Sequence, residues 1–452
     1  MSLLELDGVK VHFPVKKGIL FDRTVGHVYA VDGVSLKVEA GQTYGLVGES
    51  GCGKTTLGRA VLRLVDVTDG SVVLDGTDVA KLPEKELRSF RRRLQMVFQD
   101  PLGSLNPRQN IESILSEGMA AHGIGANQEE RREKIREILA KVGLPANALS
   151  RYPHEFSGGQ RQRIGIARAL VLEPDLIICD EPVSALDVSI QAQVINLLEE
   201  LQESMGLTYL VIAHDLAVVR HISDVIGVMY LGALVEEAPS DSLYEEPLHP
   251  YTRALMSAVP VPDPEVEERR ERILLRGDLP SPANPPAGCR FHTRCPWAQP
   301  KCAEERPELT DAGDGHKVAC HFTQEIRSGE LRPADETDAT AIPAQAKAPA
   351  EETASKATPA DATASEGTPA EETPSDEAPA EGAASDEAAA DEAPAEATAS
   401  GEAASAEETP SDETAPEATA SDEDPSEEAA QDEGPAEGAP GDGGASGKAG
   451  GK

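Results

Sequence analysis

Apolar residues Leu4, Leu6, Val9, Val11 and Phe13 are separated by polar ones near the start of the chain. That period of about two predicts a half-buried β-strand. The run is too often interrupted to be the continuous apolar core of a signal peptide. Four later segments are short and almost wholly apolar: residues 43–47, 96–98, 176–179 and 207–213. Each predicts a buried strand, and they stop at Gly48, Gln99, Asp180 with Glu181, and His214. Between the second and third, Ile135, Ile138, Leu139 and Val142 fall at helical spacing, with Gly143 as a stop and Pro145 beyond it. From Tyr244 to Leu255 a loop punctuated by Pro247 and Pro250 runs into a short helix. Strands alternating with helices predict an α/β fold. No apolar stretch approaches the roughly 20 residues that span a bilayer.

The first apolar strand runs directly into Gly48, Glu49, Ser50, Gly51, Cys52, Gly53, Lys54, Thr55 and Thr56, and helix-compatible residues follow. Strand, Gly-rich turn and helix in this order are the context of a phosphate loop, whose backbone N–H groups wrap around phosphates. Gly51 and Gly53 let the backbone approach without a Cβ in the way. Lys54 would reach the β- and γ-phosphates, and the Thr55 hydroxyl would meet Mg²⁺. About a hundred residues on, Ser157, Gly158, Gly159 and Gln160 form a second Gly-rich turn that can open a helix onto another phosphate. Asp180 ends a strand where a Mg²⁺-linked carboxylate belongs. Glu181 is then the candidate general base for an attacking water. Gln99 could ligate Mg²⁺ or the water through its amide oxygen, and His214 could donate to the γ-phosphate region.

Taken together, the phosphate loop, Gln99, residues 157–160, Asp180 with Glu181, Ser184, Ala185, Leu186, Asp187 and His214 resemble the full motif set of ABC transporter ATPase domains. The resemblance covers roughly residues 1–325. Phe156 stands where that family often has Leu, an apolar-for-apolar change. It implies a P-loop NTPase core over residues 1–235, with an inserted helical subdomain at about 100–156. It also implies that each ATP sits between the phosphate loop of one subunit and the 157–160 turn of another. The chain holds one of each and would therefore act in a dimer with a second ABC ATPase subunit. The family's adenine-stacking aromatic lies upstream of the phosphate loop, and Phe13, Phe21 and Tyr29 are the candidates. Asp100, Pro101, Leu102, Gly103, Ser104, Leu105, Asn106 and Pro107, directly after Gln99, resemble the oligopeptide/dipeptide importer branch. The region after residue 236 resembles that branch's C-terminal extension, assigned to 236–325.

What that branch implies is an ATP-hydrolysing subunit that energises peptide import across the cytoplasmic membrane. Its partners would be two integral membrane permeases and, indirectly, an extracytoplasmic solute-binding protein. The subunit would be peripheral, on the cytoplasmic face. Nickel or another small solute is an alternative cargo, and a soluble, non-transport ABC ATPase is an alternative class.

The extension carries Cys289, Cys295, Cys302 and Cys320, with five, six and seventeen residues intervening. A reducing compartment disfavours disulfides. Zinc sites usually show C-x-x-C pairs, which are missing here. Iron–sulfur clusters accept more varied spacing. In related peptide transporter ATPases such cysteines can hold a 4Fe–4S centre; zinc and unliganded structural cysteines remain the alternatives. Phe291, His292 and Trp297 would pack a small core around them.

Charge changes the picture last. The 452 residues carry a net charge of −39, and residues 331–452 hold 32 acids against five bases. That segment contains Leu331 and Ile342 as its only large apolar residues and no aromatic, so it is expected to be a disordered acidic tail. The one dense basic run, Arg88 with Arg91, Arg92 and Arg93, reads as a solvated helix face. Nucleic-acid binders concentrate positive charge, so no nucleic-acid partner is expected.

Overall fold

The computed structural model describes residues 2–17, 23–259, 272–275 and 277–333. Phe21 and the acidic segment beyond residue 333 lie outside the described residues.

The alternating N-terminal run forms β1 (Ser2–Lys17), which pairs antiparallel with β2 (Arg23–Glu39). A register shift between Leu6 and Val9, with Gly8 at φ 56°, re-phases the strand. That irregularity is why Leu4 and Leu6, then Val9 and Val11, all face the core although their numbering changes parity. β3 (Thr43–Val47) leaves this layer, and β4 (Asp69–Leu74) and β5 (Thr77–Asp78) complete it in the order β2-β1-β4-β5.

β3 is buried at every residue and lies at the centre of the second sheet. β8 (Thr208–Ile212) and β9 (Val225–Tyr230) flank it, and β7 (Leu176–Asp180) then β6 (Leu94–Val97) follow beyond β8, all parallel. Continuous apolar strands of this kind belong in a parallel sheet covered on both faces. β10 (Ala233–Pro239), β11 (Thr310–Asp311) and β12 (Lys317–Val318) extend it antiparallel, giving β11-β12-β10-β9-β3-β8-β7-β6. A mixed sheet whose central parallel strand feeds a Gly-rich turn is the arrangement expected of a P-loop NTPase core.

The covering helices are α1 (Lys54–Val61), α2 (Glu84–Arg93), α3 (Pro101–Ser104), α4 (Ile111–Ala121), α5 (Gln128–Lys141), α6 (Gly158–Leu170), α7 (Val188–Met205) and α8 (Leu216–Ile222). The predicted periodic helix is α5, which buries Ile135, Ile138 and Leu139 and ends at Gly143, φ 71°. These join Leu115, Met119, Ile164 and Tyr209 in one core. Each fully buried Leu or Ile there contributes about 1.5–3 kcal/mol of transfer free energy. A second core joins the β1–β2 layer to Leu57 of α1 and to Ile178 and Ile212 of the parallel sheet.

Beyond β10 come α9 (Ser240–Glu245) and α10 (Pro250–Ala258). Tyr251 of α10 packs with Tyr230 of β9 and with Phe291. The cysteine-bearing segment is tied to the cassette by buried charge. The Glu236 carboxylate accepts the backbone N–H groups of Leu248 and His249 at 2.6 and 3.0 Å and faces His316 Nε2 at 2.7 Å. Arg290 and Arg306 both reach Asp32, which also holds His12 Nε2 at 3.0 Å. Arg92 and Arg93 of the basic run pair with Glu173, Asp75 and Asp175 on the surface. No described helix is long and apolar enough to cross a membrane.

Candidate functional site

The site sits where parallel strands end. β3 runs into residues 48–53, and the chain turns there only because glycine permits it. Gly48 has φ 150° and Gly53 φ 106°. A Cβ on Gly48 would collide with the Met229 carbonyl, and one on Gly53 with the Ala30 carbonyl. The loop is thus wedged between β9 and β2. No side chain caps the first turn of α1, whose N-cap is Gly53. The first-turn N–H groups of such an uncapped helix have no intrahelical acceptor, which suits them to an anion. Lys54 is 5 % exposed, and its Nζ donates to the carbonyls of Gly48 at 2.8 Å and Glu49 at 3.1 Å. The ammonium is therefore bent back over the loop. Burial pushes the Cys52 thiol up, against the pull of Lys54, so it is a neutral packing group.

Thr55 Oγ1 donates to Asp180 Oδ1 at 2.8 Å, which joins α1 to the end of β7. Burial is the largest influence on Asp180 and raises its carboxyl, with Thr55, Arg59 and Lys54 acting in the opposite sense. A hydroxyl and a carboxylate this close are an oxygen pair suited to a hard divalent cation.

The next residue, Glu181, has φ 46°, the left-handed region that a non-glycine residue occupies at a cost of order 1–3 kcal/mol. The kink is held by a hydrogen bond from Glu181 N–H to the Ile212 carbonyl of β8 at 2.8 Å. It turns the side chain out of the sheet toward two groups from neighbouring strand ends. Gln99 Nε2, beyond β6, donates to Glu181 Oε2 at 2.7 Å. His214 Nδ1, beyond β8, stands 3.4 Å from the same oxygen. A cavity of about 50 Å³ opens beside them, bordered by Ser184, Gln191 and Asp215, and is large enough for a water.

Residues 157–160 are built locally. Ser157 Oγ accepts the Gln160 N–H at 3.3 Å, and Gln160 Oε1 accepts the Ser157 N–H at 3.1 Å, a reciprocal cap on α6. Buried Phe156 anchors the turn, with the Arg151 guanidinium 4.3 Å from its ring centre. The glycines lie against Leu186 and Ile190, so this turn and residues 184–187 form one surface. Among the described residues no hydrogen bond joins that turn to residues 48–55. The fold gathers Lys54, Thr55, Gln99, Asp180, Glu181 and His214, and leaves Ser157, Gly158, Gly159 and Gln160 apart from them.

Of the aromatic candidates, Phe13 pairs with Val28 across β1–β2 and is 41 % exposed. Tyr29 packs edge-on against His12 with ring centres 4.7 Å apart.

Cys289, Cys295, Cys302 and Cys320 line one small cavity with Phe291 and Trp297, and all four are free thiols. Burial pushes the Cys289 thiol up to about 12 and also raises Cys295 and Cys320. Among the described residues no three His, Cys, Asp or Glu side chains converge closely enough to hold a single metal ion. The four thiols nonetheless share one cavity lined by Phe291 and Trp297.

Several contacts escaped the sequence. Arg294 Nη1 donates to Glu49 Oε2 at 2.8 Å, and the Glu49 N–H donates to the Tyr251 hydroxyl at 2.8 Å. Tyr251 lies in the segment resembling the importer extension, which is the only signal that could have pointed to it.

A family model described as ABC transporter matches residues 31–184, and one described as Oligopeptide/dipeptide transporter, C-terminal region, matches residues 235–302. The Oligopeptide transport ATP-binding protein AppF of Bacillus subtilis is 59 % identical over 322 residues, which are 71 % of this chain and 97 % of that protein. The Oligopeptide transport ATP-binding protein OppF of Escherichia coli is 56 % identical, covering 70 % of this chain and 95 % of its own. A putative peptide import ATP-binding protein of Brucella ovis is 55 % identical, covering 70 % and 97 %.

Proposed function

The chain belongs to the family of oligopeptide transport ATP-binding proteins of ABC transporters, and from that premise we propose the following division of labour in its site. The protein is an ATP hydrolase that energises peptide import across the cytoplasmic membrane. Residues 48–56 wrap the phosphates, with Lys54 swinging from the loop carbonyls to the β- and γ-phosphates. Thr55 and Asp180 hold Mg²⁺, assisted by Gln99. The ion supplies charge neutralisation at the phosphates. Glu181 orients and deprotonates the attacking water, and His214 steadies the γ-phosphate side. The observation that carries this reading is the convergence of Gln99 and His214 on the Glu181 carboxylate, next to the Thr55–Asp180 pair.

Residues 157–160 complete the site of a second ATPase subunit, across the surface they share with residues 184–187. Phe13, whose ring is exposed, is the residue proposed to stack on adenine. The cassette occupies residues 1–235, with its helical subdomain at about 100–156, and the extension occupies 236–325. The helical subdomain receives a coupling helix from one of two permeases, which keeps the subunit peripheral on the cytoplasmic face. A solute-binding protein outside the membrane delivers the peptide. The four extension cysteines, which share one cavity with Phe291 and Trp297, hold a 4Fe–4S cluster.

The deciding experiment is a tagged pull-down from gently solubilised membranes. Recovery of two multi-span permeases, with ATP hydrolysis stimulated by a peptide-loaded binding protein, is expected. Recovery of ribosomal or DNA-repair partners without any membrane protein overturns the transport reading. For the cluster, anaerobic reconstitution with iron and sulfide should give a broad visible absorption that Cys302→Ser removes.

A further inference from the structure

The phosphate loop is held from outside its own strand and helix. The Glu49 side chain accepts from Arg294 at 2.8 Å, in a pair that is 11 % exposed at Arg294 and 26 % at Glu49. The Glu49 backbone N–H is fixed by the Tyr251 hydroxyl. Tyr251 is itself locked by Tyr230 at 4.7 Å and Phe291 at 5.4 Å between ring centres. Farther along the loop, the Cys52 carbonyl accepts from Gly232 N–H at 2.8 Å. The Glu49 carbonyl, finally, accepts from Lys54 Nζ at 3.1 Å. A displacement of Glu49 therefore moves both the loop backbone and the lysine.

Arg294 lies one residue before Cys295, in the turn that carries the first two cysteines. Simple stapling of the extension onto the cassette is already served elsewhere. Arg290 reaches Asp32 of the cassette, and Arg327 closes the end of the extension on its own start by gripping Glu246 bidentately at 2.6 and 2.7 Å. Neither of those pairs touches residues 48–55. A mostly buried ion pair is poor value for stability alone, because desolvation offsets much of the attraction. Backbone donors, by contrast, bind anions well only when they are aimed in advance.

We propose that Arg294 is a positioning residue for ATP binding: it fixes Glu49, and through it the donors of residues 49–53 and Lys54, so that the cysteine-bearing turn sets the affinity of the phosphate loop. The proposal rests on residues 48–55 being the ATP phosphate loop.

The test is a double-mutant cycle on the full-length chain, reading Kd for Mg–ATP with a fluorescent ATP analogue and melting temperature in parallel. Arg294→Ala and Glu49→Ala should each raise Kd roughly 5-fold or more. The double variant should be no worse than the weaker-binding single variant, because both break one interaction. Arg294→Lys, which keeps the charge and loses the planar fork, should fall between wild type and Arg294→Ala. Arg327→Ala should lower the melting temperature and leave Kd unchanged. A Kd for Arg294→Ala within about twofold of wild type, or additive losses in the double variant, overturns the proposal whatever the melting temperature does. Should Arg294→Ala fail to fold, Arg294→Lys decides: a weakened Kd supports the brace and an unchanged one removes it. Wild-type protein that bound no ATP would remove the loop assignment itself, a result distinct from tight wild-type binding with unaffected variants.

Discussion

The Gln99 side-chain amide donates to Glu181 Oε2 at 2.7 Å, joining two residues 82 positions apart in the chain. Adjacent parallel strands make this possible: β6 and β7 run side by side, and each residue lies just past its strand's end. The amide presents its N–H₂ to the carboxylate, so it can only orient and stabilise the charged form of Glu181 and cannot compete for a proton. Its oxygen is left for a cation or a water. A group that couples the end of β6 to the proposed base can therefore report movement of the helices after Gln99 to the site of hydrolysis.

Glu181→Gln should bind Mg–ATP with unchanged affinity and hydrolyse it at least about 100-fold more slowly, since an amide accepts no proton from water. Steady-state hydrolysis and equilibrium binding on the same preparation separate the two effects. Normal turnover by the variant would end the assignment of Glu181 as base. Gln99→Ala should lose less, because it removes an orienting contact and leaves the carboxylate.

Phe13→Ala should weaken ATP binding about tenfold, the typical worth of one base–aromatic stack, with little change for a phosphate-only ligand such as triphosphate. Tyr29→Ala should instead disturb the His12 contact and lower stability. If Tyr29→Ala weakens ATP binding and Phe13→Ala does not, the stacking residue has been misassigned.

The parts of the site that were legible in the sequence are those where backbone and strand ends dictate chemistry. Gly48 and Gly53 announce a turn that only glycine can make, and Asp180, Glu181, Gln99 and His214 each close an apolar run. Pattern reading also found α5, because Ile135, Ile138 and Leu139 sit on one helical face. What stayed hidden depends on contacts between distant segments. Nothing near Asp32 predicts Arg290, 258 residues on, and nothing near Glu49 predicts Arg294. The left-handed backbone at Glu181 was equally invisible, since glutamate gives no local signal for it.

The Asp32 cluster sets an acid limit on stability. Burial pushes the Asp32 carboxyl up, but Arg290, His12 and Arg306 together outweigh it and hold it below its ordinary 3.8. The unfolded chain then binds the extra proton first as pH falls. The stabilisation is present in full above that ordinary value and is lost as pH drops through the lower folded one. Asp32→Asn should cost roughly 3 kcal/mol near neutral pH, because it leaves the buried Arg290 charge without its partner. The gap between variant and wild type in denaturant unfolding should narrow below about pH 4. A gap that stayed constant across that range would show that the ion pair is not its source.

Deleting residues 334–452 should leave melting temperature and ATP hydrolysis unchanged. The stretch from 331 onward holds 32 acids, and after Leu331 its one large apolar residue is Ile342, so it has almost nothing with which to extend a core. Leu331 stays in the truncated chain, where its N–H donates to the Glu325 carbonyl at 2.9 Å and closes the last helical turn. Most of the net charge of −39 leaves with the deleted segment. The truncated protein should therefore elute earlier from an anion exchanger and aggregate more readily at low salt, since charge repulsion between molecules falls. A loss of hydrolysis at unchanged melting temperature would instead show that the acidic segment acts on the ATPase cycle, and a lower melting temperature would show that it packs against the cassette.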